Sequence, residues 1–92
     1  MLAIREDELN RVTGGDMIET AADSQALYQK GCMSEYYDVI DLMFEWVELS
    51  RRVDNGWGCA GVVCMSKPFK SNKYIRNGKE ITRKEALQHI GF

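Results

Sequence analysis

Between Glu35 and Leu49 every residue is either acidic or apolar, and this run constrains the fold more than any other part of the chain. Glu35, Asp38, Asp41, Glu45 and Glu48 recur every three or four positions, which places them along one side of an α-helix. Tyr36, Val39, Ile40, Met43, Trp46 and Val47 form the centre of the opposite side, and Tyr37, Leu42, Phe44 and Leu49 widen it. Ser34 suits the N-cap, with Glu35 and Asp38 favourably placed against the positive end of the helix dipole. Arg51 and Arg52 suit the C-terminal end, and Asn55-Gly56 read as a stop. The spacing predicts one long helix over 34–52. So wide an apolar face belongs at the centre of a domain, contacted on two sides.

What packs against that helix is legible further on. Lys73-Tyr74-Ile75-Arg76 and Lys79-Glu80-Ile81 flank Asn77-Gly78, the strongest short-range signal for a β-hairpin. Thr82 and Glu85 have the spacing of a capping box, which predicts a helix from Arg83 to Ile90 with Gly91 as its stop. Residues 57–66 are mixed: Val62-Val63 favour a strand, whereas the glycines favour a turn or bulge. Residues 16–22 have no clear periodicity and read as a linker; Thr20 or Asp23 suits the cap of a short helix running to about Lys30, stopped by Gly31. A chain of 92 residues holds one domain at most. The expected architecture is α+β: a long central helix packed on a small antiparallel hairpin or sheet, a short C-terminal helix, and a flexible N-terminal leader.

Charge and cysteine content narrow the function. The net charge of −2 hides an asymmetry: residues 16–50 hold eight acids and one base, whereas residues 51–92 hold nine bases and three acids. The two halves of a compact domain then attract each other, and the acidic half competes with any external polyanion, so no nucleic-acid partner is expected. No apolar run approaches the roughly 18 residues of a membrane span. An apolar signal-peptide core is absent from the charged N-terminus. Of the three cysteines, Cys59 and Cys64 are close enough to close a small disulfide loop, or to be two buried thiols acting as small apolar groups; the odd count leaves at least one thiol over. Cys32, Cys59, Cys64 and His89 lack the close pairing of structural zinc sites, so neither a metal nor a cofactor is expected. His89 is the single histidine, and no local signature pairs it with a cysteine for nucleophilic catalysis, so no enzyme activity and no catalytic residue are expected.

The N-terminus carries the most specific pattern. Residues 4–13 read as a short amphipathic helix ended by Gly14-Gly15. Counted back from Gly15, the segment has Gly14, then Val12, Leu9, Glu8 and Ile4. This resembles the double-glycine leader of bacteriocins and related peptides of Gram-positive bacteria, in which two glycines precede the cut, apolar residues stand four, seven and twelve positions before it, and a glutamate stands eight before it. The resemblance covers residues 1–15. It implies a partner, an ABC exporter carrying a cysteine-peptidase domain, with Ile4, Glu8, Leu9 and Val12 as recognition residues and cleavage after Gly14-Gly15. A short helix of this kind is marginal alone and folds into a partner's groove through its apolar anchors.

The chain is therefore expected to divide into a leader at 1–15, a linker at 16–22 and a small globular cargo at 23–92, made in the bacterial cytoplasm and secreted after cleavage. Tyr36, Tyr37 and Trp46 are the candidates for contact with a membrane or protein target of the released product. The competing reading is a small non-enzymatic cytosolic interaction module whose N-terminal helix is structural.

Overall fold

The computed structural model describes residues 15–68 and 70–92. Ile4, Glu8, Leu9, Val12 and Gly14 of the expected leader lie outside these residues. The described elements are α1 (Gly15–Gln29), α2 (Val39–Phe44), α3 (Trp46–Gly56), a 3₁₀ turn (Trp57–Ala60), β1 (Val62–Met65), β2 (Lys73–Arg76), β3 (Lys79–Ile81) and α4 (Arg83–His89). The strands form one antiparallel sheet in the order β1-β2-β3. The domain is α+β, with helices packed on a three-stranded antiparallel sheet.

The longest helix is α1, and residues 16–22 belong to it, not to a linker. Its inner face is Met17, Thr20, Ala21, Ser24 and Leu27, all buried and spaced three or four apart. Two of those five are hydroxylated residues, and Asp23 is buried beside them. A hydrophobic periodicity built partly from polar side chains is invisible to a reading that counts apolar residues.

The expected helix over 34–52 is two helices joined at Glu45, whose backbone (φ −135°, ψ 45°) leaves the helical region. The first starts at Val39, not at Ser34. Asp38 caps it by accepting from the Asp41 N–H at 2.9 Å, and the Asp41 carboxylate accepts from the Asp38 N–H at 3.2 Å. This is a capping box in which aspartate takes the usual glutamate position. Residues 34–37 stay out of the helix because Ser24 of α1 takes the backbone of Tyr37: its hydroxyl accepts from the Tyr37 N–H and donates to the Tyr37 carbonyl, both at 3.0 Å. The second helix passes the expected stop at Asn55-Gly56 and continues as the 3₁₀ turn until Gly61, which is left-handed at φ +69°. That extension carries Trp57 into the core, where it is fully buried.

Leu27, Leu42, Val53, Trp57 and Ala86 are fully buried, with Tyr37, Leu49, Val62, Cys64 and Tyr74 nearly so. Each large apolar side chain contributes about 1.5–3 kcal/mol on burial. Trp57 meets Tyr74 edge to face at 5.3 Å. The hairpin forms as expected: Asn77 (φ +54°) and Gly78 (φ +76°) make the turn, with Arg76 opposite Lys79 and Tyr74 opposite Ile81. Both turn residues need positive φ, which asparagine and glycine tolerate best. The Thr82–Glu85 capping box also forms, and its hydrogen bonds hold the Glu85 carboxyl below its ordinary pKa.

Candidate functional site

Three places in the domain bring chemically distinctive side chains together. The first is a buried polar cluster between α1, β2 and α4. Asp23 is fully buried and accepts from the Tyr74 hydroxyl at 2.5 Å, from Arg83 Nε at 2.7 Å and from Asn72 Nδ2 at 3.4 Å. Asn72 also donates through Nδ2 to the Thr20 hydroxyl and through its backbone N–H to Glu19. Burial raises the Asp23 carboxyl above its ordinary value, against the lowering effect of Tyr74 and Arg83. The same burial, with the Asp23 charge beside it, raises the Tyr74 phenol. Glu19, Asn72, Tyr74 and Arg83 border a surface cleft of about 390 Å³. With three donors already on Asp23, the arrangement acts as a clamp that ties the first helix to the sheet and to the last helix.

The second place is the cysteines. Cys32, in the loop after α1, is bonded to Cys59 in the 3₁₀ turn. Cys59 is therefore not paired with Cys64; of the two readings their closeness in sequence left open, Cys64 follows the second and is a buried thiol. Cys64 lies on β1 with its side chain in the core, while Cys59 is exposed at the end of the α3 extension. The correct partner lies 27 positions upstream and is brought alongside only by the packing of α1 on α3. The Cys64 thiol is raised by burial and by the nearby Asp54 carboxylate. Asp54 in turn accepts from the Ser66 hydroxyl at 2.5 Å. A buried thiol held in its neutral form is a packing group, not a nucleophile.

The third place is the outer side of α2 and the start of α3. Ile40 (48% exposed), Met43 (48%), Phe44 (84%) and Val47 (70%) stand in solvent. Of the three residues expected to contact a target, Tyr36 is exposed and stacks at a tilt on Tyr28 at 5.1 Å. Tyr37 is a correction: it is 5% exposed and belongs to the core, held by Ser24 and by a hydroxyl bond to Glu35. Trp46 is half-buried and packs on the core cluster. The break at Glu45 explains the exchange. Val39, Leu42, Trp46, Leu49 and Val53 turn inward, which leaves the remaining apolar stripe outside. A signal for this existed in the sequence, since the apolar arc was too wide for one packing partner.

Gly15, the expected cleavage residue, lies in α1, so the Gly15–Asp16 bond sits in helical backbone. Among the described residues no cluster of three or more histidine, cysteine or acidic side chains could hold a metal ion, and no helix is long and apolar enough to cross a membrane.

Fold and site together define a small disulfide-bonded α+β domain with an apolar outer helix face. Comparison with protein-family models, curated proteins and solved structures yields no match to any of them.

Proposed function

We propose that the chain is the precursor of a small exported bacteriocin-type polypeptide, cut after Gly15 by the peptidase domain of an ABC exporter. The observation that carries this reading is the Cys32–Cys59 disulfide. Such bonds persist in oxidising surroundings outside the cytosol and are rare within it. A route for export is offered by Ile4, Glu8, Leu9, Val12 and Gly14-Gly15, which stand in the register of a double-glycine leader. The released product is Asp16 to Phe92. Its target is a membrane or a protein outside the producing cell.

The test is incubation of the full chain with the peptidase domain of a double-glycine exporter from the same genome, followed by intact mass spectrometry. A single cut between Gly15 and Asp16 is the expected result, and Leu9→Asp is expected to abolish it. An intact chain beside a second, efficiently cut leader peptide would overturn the reading in favour of a cytosolic interaction module.

A further inference from the structure

We propose that the outer face of α2 and α3, made of Ile40, Met43, Phe44 and Val47, is a docking surface for a cationic, apolar protein surface of the kind an amphipathic helix presents. The inference stands whether or not residues 1–15 are cut.

Ile40, Met43 and Phe44 stand at i, i+3 and i+4 on α2, and Val47 continues the exposed apolar surface in the first turn of α3. Glu45 interrupts the helical path, so exposure and charge, not a single helical wheel, sort the side chains into three arcs. Val39, Leu42, Trp46, Leu49 and Val53 form the arc that faces the core. Ile40, Met43, Phe44 and Val47 form the second. Asp38, Asp41, Glu45 and Glu48 form the third. The first arc is buried or half-buried and the other two are open. Scattered single apolar residues on a surface are ordinary; four adjoining ones on the outer side of α2 and the start of α3, with Phe44 84% exposed, point to an interaction site.

The acidic arc decides the class of partner. Glu48 is paired with Arg52, but Asp38, Asp41 and Glu45 form no salt bridge among the described residues. Arg51, one turn beyond Val47, is the one base flanking the apolar arc within α2 and α3, since Arg52 is held by Glu35 and Glu48. An anionic bilayer approaching this face would meet like charge along its acidic edge, with Arg51 the one base of α2 and α3 beside the apolar arc to offset it. A protein surface with apolar ridges and a lysine or arginine rim would meet opposite charge there, which steers encounter and fixes orientation.

The probe is a short amphipathic model helix of leucine and lysine, with a twin in which glutamate replaces every lysine. Both are labelled, and binding to the oxidised full chain is followed by fluorescence anisotropy. The lysine helix is expected to bind saturably at one site, more weakly as salt rises, and the glutamate twin not at all. Phe44→Glu is expected to weaken binding roughly tenfold or more. That variant separates docking from bare charge attraction, because the added carboxylate would otherwise tighten binding of a cationic peptide. Glu45→Lys, at a position whose side chain makes no capping bond, is expected to weaken the lysine helix and to admit the glutamate twin. Val63→Glu, exposed on the sheet, is the control and is expected to change nothing. Circular dichroism confirms the fold of each variant. Equal binding of the two helices, or unchanged or tighter binding by Phe44→Glu, would overturn the proposal. So would binding of phosphatidylglycerol vesicles through Phe44 without competition from the lysine helix.

Discussion

Arg83 donates through Nε to Oδ1 of Asp23 at 2.7 Å, joining two residues sixty positions apart and closing the last helix onto the first. The carboxylate is fully buried and the guanidinium one third exposed. Taking away one partner of such a pair leaves the other charge without compensation, which is more damaging than the pair is stabilising. Arg83→Met is therefore expected to destabilise the domain by about 3 kcal/mol, read from the midpoint of a urea transition. A loss below about 0.5 kcal/mol, the size of an ordinary surface substitution, would show that Asn72 and Tyr74 satisfy Asp23 by themselves.

The burial of the same carboxylate sets the sign expected for the pH dependence of stability. Burial raises the folded-state pKa of Asp23 above the unfolded value, near 3.8. The folded state then holds the proton more tightly. This contribution to stability is complete below the unfolded pKa and is lost as pH rises through the folded one. Arg83→Met removes a group that lowers this pKa, so the decline is expected to extend to higher pH in that variant. Asp23→Asn is expected to abolish it. Urea titrations across the acid range would separate the three proteins.

Reduction of Cys32–Cys59 should loosen the whole domain, because the bond closes a loop of 27 residues in the unfolded chain. The chain-entropy relation puts the effect at about 3.5 kcal/mol. Cys32→Ser and Cys59→Ser should each show it, whereas Cys64→Ser should keep the disulfide and the two-hydrogen mass deficit that reports it. A mass deficit that vanished with Cys64→Ser would restore the pairing that closeness in sequence suggests.

If the leader reading is right, folding and processing compete. The Gly15–Asp16 bond is in helical backbone, and Met17 two residues on is 8% exposed. A peptidase cleft that takes an extended strand must unwind that first turn. The reduced, destabilised chain is therefore expected to be cut faster than the oxidised chain by the same peptidase, with cleavage rates followed by mass spectrometry. Equal rates would mean that the first turn opens at no cost to the fold.

Phe44→Ser should leave stability within about 0.5 kcal/mol, in contrast to Leu42→Ala two residues earlier, which should cost about 2–5 kcal/mol. The two residues share one short helix and differ only in the side they face. Thermal melts of both variants would test the orientation on which the docking surface depends.

Local chemistry was enough to place the hairpin at Asn77-Gly78, the Thr82–Glu85 cap and the α+β class. A two-residue turn and a capping box are short-range hydrogen-bond patterns with few competitors. The identity of the exposed apolar face was not available locally. Ten apolar residues between Tyr36 and Leu49 cover more circumference than one packing surface needs, and only the break at Glu45 chose which of them turned inward. The helix expected to run to about Lys30 formed, but its first turns over 16–22 were hidden because Thr20, Asp23 and Ser24 satisfy their polar groups with Asn72, Tyr74, Arg83 and Tyr37, partners that sequence distance conceals. The cysteine pairing stayed open for a related reason: nearness along the chain offers Cys64, but β1 points that thiol into the core, and the packing of α1 on α3 brings Cys32 to Cys59 instead. Backbone preferences and caps act within a few residues and so can be read in order. Burial and pairing act across space, and only the packed chain decides them.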